Sequence, residues 1–294
     1  MKSKNIATWY AILAAALYAI NVPLSKIILN YIEPTMMASF LYIGAGVGAF
    51  IYGLVEKSVN KEIKREPLTK KELPYTVSMV VLDIAAPIFL MFGITMTNSS
   101  SVSLLNNFEI VATSLIALLV FKEFISKRLW LAIVLVTVAS MILSFEGKSS
   151  FVFNQGSFFV LCACLCWGFE NNCTKMISNK SSIEIVVIKG IFSGLGSLIV
   201  ALVVGEQIPP IHWILCIMAL GFVAYGLSIH FYIMAQKDLG AAKTSAYYSI
   251  APFLGVLFGI VFLNESLTMR FYIALGIMII STYIMAKDTN VGGG

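Results

Sequence analysis

The chain has 294 residues, of which 59% are apolar and only 12% are charged, with a mean hydropathy of +0.90. A globular domain carries roughly 25% charged residues, so most of this surface must face lipid, and intrinsic disorder, a disulfide scaffold and nucleic-acid binding are excluded together. The net charge of +5 is concentrated: Lys57, Lys61, Lys64, Arg65, Lys70 and Lys71 share the hydrophilic stretch 56–74, which reads as a cytoplasmic loop beside anionic headgroups.

A bilayer core of about 30 Å needs about 20 helical residues. Ten runs qualify, near 8–28, 35–55, 75–95, 102–120, 130–145, 157–177, 184–204, 212–235, 241–262 and 271–286. The expected fold is therefore all-α, a polytopic membrane protein of ten transmembrane helices. The first run follows Lys2 and Lys4, and its length exceeds the roughly 7–15 residues of a cleavable signal core, so it is expected to stay. Only the 56–74 connection is long, which leaves no space for a soluble catalytic domain. Residues 291–294 read as a cloning remnant. With the N-terminus inside, only Lys26, Lys148 and Arg270 fall in outer loops, which predicts a multi-pass protein of the cytoplasmic membrane with both termini cytoplasmic.

An ionisable residue in the middle of a span costs about 2.5–3.5 kcal/mol on insertion scales, so it normally faces a cavity or a partner. In the third run, Asp83 lies one turn before Pro87, which can open the helix backbone, and is a candidate gate or buried hydrogen-bond partner. In the fourth, Ser103, Asn106 and Thr113 fall within about 80° of arc with Glu109 on its edge, a polar stripe expected to line water. The sixth carries Trp167, Glu170, Asn171 and Thr174 on one face. A ring, a carboxylate and an amide on one wall suit an amine, or a zwitterion if a cation sits opposite; the structural alternative is a buried ion pair of Glu170 with Lys175 or Lys189. Lys189 is expected to snorkel to the cytoplasmic interface, and His230 in the eighth run to sit at an interface or act as a proton relay. In the ninth, Tyr247, Tyr248 and Ser249 precede Pro252, which is expected to free a carbonyl inside the cavity. Cys162, Cys164, Cys166, Cys173 and Cys216 read as small packing residues, with no metal or disulfide expected, and the Gly44/Gly48 and Gly190/Gly194 pairs as helix-packing signals.

The chain also repeats itself. Tyr18 to Lys26 aligns with Trp167 to Lys175 at a shift of 149, and Ser103 to Ile142 with Ser245 to Ile284 at a shift of 142, pairing Glu123 with Glu265, Ser126 with Thr268 and Asp83 with Tyr225. Two units of five spans, 1–148 and 149–290, must then lie in opposite membrane orientations, the inverted-repeat plan of alternating-access carriers.

These residues resemble the EamA-type branch of the drug/metabolite transporter superfamily. The marks are Trp167-Gly168, with Tyr18-Ala19 as the degraded copy, and Pro252, Gly255, Gly259, Glu265 and Thr268 in the second repeat. The first repeat keeps Glu123 and Ser126 but has Ile110 where the Pro would stand, so its fourth helix is expected without that kink. The resemblance implies a ten-helix basket, a central cavity lined mainly by the first, third, fourth, sixth, eighth and ninth helices, and movement of a small metabolite. The expected protein is thus a secondary transporter for a small polar or amphipathic metabolite, an amino acid or related amine. It is expected to be a monomer or weak homodimer in the bilayer, with no cofactor and no enzymatic activity. Substrate contacts are expected from Asn106, Glu109, Trp167, Glu170, Asn171, Thr174, Tyr248 and Ser249, and coupling or gating from Asp83, Glu109, Glu170, His230 and Pro252, with Glu109 or Glu170 exchanging protons. The alternatives are a passive channel for small solutes and an exporter of organic cations.

Overall fold

A computed structural model describes residues 2–59, 66–122, 126–146, 152–239, 244, 247–248, 250–265 and 267–287. Residues 291–294, Glu123, Ser245 and Ser249 lie outside the described residues. Helices α1 (Lys2–Ala19) and α2 (Asn21–Ile28) form the first span, α3 (Pro34–Val59) the second and α4 (Leu73–Met96) the third. The fourth is split into α5 (Ser99–Leu105) and α6 (Phe108–Leu119), and α7 (Lys127–Ser144) is the fifth. A two-residue antiparallel pair, β1 (Phe145–Glu146) with β2 (Val152–Phe153), precedes α8 (Gln155–Ile177) and α9 (Ser182–Val204). The eighth span is α10 (Ile211–Gly221), a π-turn over Phe222–Leu227 and α11 (Ser228–Leu239); α12 (Ala251–Leu263) and α13 (Met269–Ala286) complete the chain.

Among the described residues six stretches are long and apolar enough to cross a membrane, and Trp130–Ile142, Ala251–Leu263 and Met269–Ile284 are shorter apolar helices. Helix α8 has spanning length, 23 residues, but spends its C-terminal half on Glu170, Asn171, Asn172 and Lys175. Exposed Val, Leu, Ile and Phe side chains on α3, α7, α9 and α13 supply the lipid-facing surface.

Most extensive are the packings of α3 against α9 and of α4 against α8, followed by α7 against α13, α1 against α11 and α6 against α8. Exchanging the two sets of five spans leaves α3–α9 and α7–α13 unchanged and turns α4–α8 into α1–α11. Glycines permit the tightest of these crossings: a Cβ on Gly190 would lie 2.3 Å from the Gly46 nitrogen, and one on Gly44 2.2 Å from the Met218 carbonyl oxygen. Both expected glycine pairs are thus packing surfaces, Gly44 and Gly48 against Met218 and Phe222, Gly190 and Gly194 against Gly46 and Ile43.

Span ends are tied across the fold by charged side chains on orphan backbone groups. Lys26 Nζ donates to the carbonyls of Ile94 (2.5 Å) and Thr97 (2.7 Å) at the C-terminal end of α4. Glu265 accepts from the Ser99 and Ser100 amides at 2.7 and 2.8 Å, closing the N-terminus of α5. Glu206 accepts from the Thr35 and Met36 amides at the start of α3 (3.1 and 2.5 Å), while Glu33 accepts from the Gln207 amide at 2.7 Å, a reciprocal clasp between α3 and the turn after α9.

Candidate functional site

The first, fourth and eighth spans lose regular α-helical geometry near their middles. The first is interrupted at Ile20 between α1 and α2. The fourth, read from sequence as one helix over 102–120, breaks at Asn106 and Asn107; there the Asn107, Glu109 and Ile110 amides bond to the carbonyls of Leu104, Asn106 and Asn107, three residues back. The Cys164 thiol faces the Leu105 and Asn106 carbonyls at 3.7 and 3.9 Å. The break needs no proline, so the expectation that Ile110 would leave this helix unkinked is corrected: two consecutive asparagines and α8 packed alongside suffice. In the eighth span the widened turn carries Tyr225, a helix defect that recurs at functional sites. Pro87 lies within a continuous α4, and Pro252 occupies the second position of α12, where its missing N–H was unpaired anyway.

At the centre lies a three-member charge bridge. Lys189 Nζ on α9 is 2.9 Å from Glu170 Oε1 on α8 and 3.2 Å from Asp83 Oδ2 on α4. All three residues are buried, at 5%, 1% and 0% exposure. Tyr42 donates its hydroxyl to Asp83 Oδ1 at 3.0 Å and accepts from the Trp167 indole at 3.3 Å, and Thr174 donates to Glu170. Lys189 therefore does not snorkel: two acids within reach hold the ammonium better than the distant interface. The pseudo-equivalent crossing is neutral. Asn21, aligned with Glu170, donates to the hydroxyl of Tyr225, the counterpart of Asp83, at 2.9 Å, and Ser25 donates to Asn21 Oδ1 at 3.1 Å.

Glu109 is differently placed. It starts α6, accepts from the Asn171 amide at 2.6 Å, and among the described residues no cation lies within ion-pair distance of it. Around it is an aromatic wall. Tyr18 stands edge-on to Tyr225 (centroids 5.7 Å) and tilted to Tyr248 (5.9 Å), while Tyr248 meets Tyr232 at 5.0 Å and Tyr42 meets Tyr225 at 5.1 Å. Together with Trp167, Glu170, Asn171, Thr174 and Lys189 these residues bound one cavity.

Six of the eight expected substrate-contact residues line this cavity: Glu109, Trp167, Glu170, Asn171, Thr174 and Tyr248. Asn106 does not; it is buried at the helix break with its side-chain oxygen unpartnered among the described residues, and Ser103 in the same stripe packs against Gly255. Ser249 lies outside the described residues. Of the expected coupling residues, Asp83 sits behind Lys189, and His230 is buried off the cavity wall with Nδ1 3.1 Å from the hydroxyl of Ser182, the first residue of α9. Tyr247, beside Tyr248, points outward at 42% exposure. Sequence reasoning missed Tyr42, Tyr232 and Lys189 as lining residues and with them the second and seventh spans. Tyr18 and Tyr225 were within reach, as the repeat partners of Trp167 and Asp83.

The EamA-like transporter family model matches residues 5–145 and again 154–287. A relative described as an uncharacterized transporter, from Methanothermobacter thermautotrophicus, is 23% identical over 290 residues, covering 93% of this chain and 84% of its own length. A solved crystal structure shares the fold with a TM-score of 0.69 at 15% identity, over 98% of this chain and 99% of the other. A polytopic helical chain matched in both halves by one transporter model is a membrane transporter rather than an enzyme: it belongs to the EamA-like transporter family.

Proposed function

We propose that this chain is a secondary active transporter that carries a small amine-bearing metabolite, an amino acid or related amine, across the cytoplasmic membrane. The single observation that carries the reading is Glu109, a carboxylate with no ion-pair partner among the described residues, set in an aromatic cavity between the two halves of a repeated chain. A cationic amine placed there gains charge attraction and cation–π contact with the surrounding rings. The repeat and the exchange symmetry of the helix pairs support alternating access by two inverted five-span units, 1–148 and 149–290, with both termini cytoplasmic. Glu109 is also the acid best placed to exchange a proton with the cargo, since Glu170 is already engaged by Lys189.

The test is counterflow in proteoliposomes. Internal amine should accelerate entry of labelled amine, a pH gradient should drive accumulation, and Glu109→Gln should abolish the pH dependence. Uptake that never responds to internal substrate identifies a passive pore and discards the carrier reading.

A further inference from the structure

We infer that the cavity selects organic cations bearing no carboxylate, and that the engagement of Lys189 by Asp83 and Glu170 keeps its ammonium from a substrate carboxylate; the inference rests on the transporter reading above and narrows its substrate class. An amino acid brings a carboxylate as well as an amine, and the carboxylate needs its own cation or a set of unpaired N–H donors. Among the described residues Lys189 is the cation on the cavity wall. Its ammonium is held between Glu170 Oε1 at 2.9 Å and Asp83 Oδ2 at 3.2 Å, and its side chain is only 6% exposed. A substrate carboxylate would have to displace one of those acids and leave it buried and unpaired. The other local source of positive potential, the N-terminal end of α6, already carries Glu109 in its first turn.

The balance of charge points the same way. Three carboxyl groups, Asp83, Glu109 and Glu170, stand against one ammonium, so acids outnumber bases among these four groups. The faces of Trp167, Tyr18 and Tyr248 add to the preference for positive charge. A zwitterion satisfies one end of itself here and meets repulsion at the other, whereas an amine, a quaternary ammonium or an amino-acid ester satisfies both requirements. The asymmetry between the repeats fits this assignment: the equivalent Asn21–Tyr225 crossing has no charge to offer a carboxylate.

Three matched probes decide the matter on the purified full chain: phenethylamine, phenylalanine methyl ester and phenylalanine, titrated calorimetrically. The two carboxylate-free cations should bind at least tenfold tighter than phenylalanine. Equal or tighter binding of phenylalanine overturns the inference, as does the absence of binding by all three. The double variant Asp83→Asn/Glu170→Gln releases Lys189 and should bring phenylalanine to within a factor of three of phenethylamine. The triple variant Asp83→Asn/Glu170→Gln/Lys189→Met, whose core is electrically neutral there, should keep the discrimination through Glu109. A double variant that gains nothing for phenylalanine while folded overturns the role of Lys189. If that variant does not fold, the three wild-type affinities and the triple variant still decide. Selective binding without counterflow would defeat the carrier reading and leave the selectivity standing, whereas counterflow that favours phenylalanine would do the reverse.

Discussion

Replacing Lys189 by Met takes the ammonium from between two buried acids and puts nothing charged in its place. Asp83 keeps the Tyr42 hydroxyl at 3.0 Å and Glu170 keeps Thr174, but neither retains a cation. Removing one partner of a buried pair costs about 3–5 kcal/mol, mostly the penalty of the charge left behind. At about 2 °C per kcal/mol for a chain of this length, Lys189→Met should lower Tm by about 6–10 °C. The neutral triple variant, in which Asp83→Asn and Glu170→Gln accompany it, should recover most of that loss, because groups of similar shape without charge need no ion partner. The three substitutions are then strongly non-additive, as residues in one network are. Tryptophan-fluorescence melting in detergent reads the effect directly, since Trp167 is hydrogen-bonded to Tyr42 beside the bridge. A single variant that melts within about 1 °C of the parent, or a triple variant less stable than the single, would refute the reasoning.

Tyr225→Phe removes the acceptor of the Asn21 amide inside the protein and should cost about 1–3 kcal/mol; adding Asn21→Leu should return part of it, both measured by the same melts. Glu265→Ala strips the carboxylate from the amides of Ser99 and Ser100, costing about 1–2 kcal/mol, and hydrogen exchange at those amides should rise while that of α9 stays unchanged. Gly221→Ala places a Cβ 1.9 Å from the Leu41 carbonyl oxygen, a backbone atom that cannot swing aside; a loss of about 2 kcal/mol or more, and a fall in monodisperse yield on size exclusion, are expected.

Much of the fold was legible because hydropathy reports transfer into lipid, and lipid is what most of these side chains meet. The polar exceptions were legible for the same reason: Glu109, Glu170 and Asn171 stand out against apolar runs and do reach one cavity. The rotation of a helix about its own axis is set by packing between distant segments, which no local pattern encodes. Lys189 shows this best. Its depth, counted along the sequence, suggested an escape to the interface, and only the packing of α4 against α9 at Gly196 and Ile84, and of α4 against α8 at Gly93 and Val160, brings Asp83 and Glu170 to its ammonium. Tyr42 and Tyr232 were hidden because tyrosine in a span also serves as an interfacial anchor. The widened turn at Phe222–Leu227 left no mark at all, since its residues would suit an ordinary helix equally well.

The side-chain clasps at the ends of the spans have a mechanical consequence. Lys26 on the last carbonyls of α4, Glu265 on the first amides of α5 and the Glu33–Glu206 exchange tie one rim together, while Ile20, Asn106–Asn107 and the Tyr225 turn leave the waist with fewer regular backbone bonds. Compliance is therefore concentrated where the ligand would sit, so that cargo and flexure share the same few residues and loading the chamber acts directly on the parts that bend.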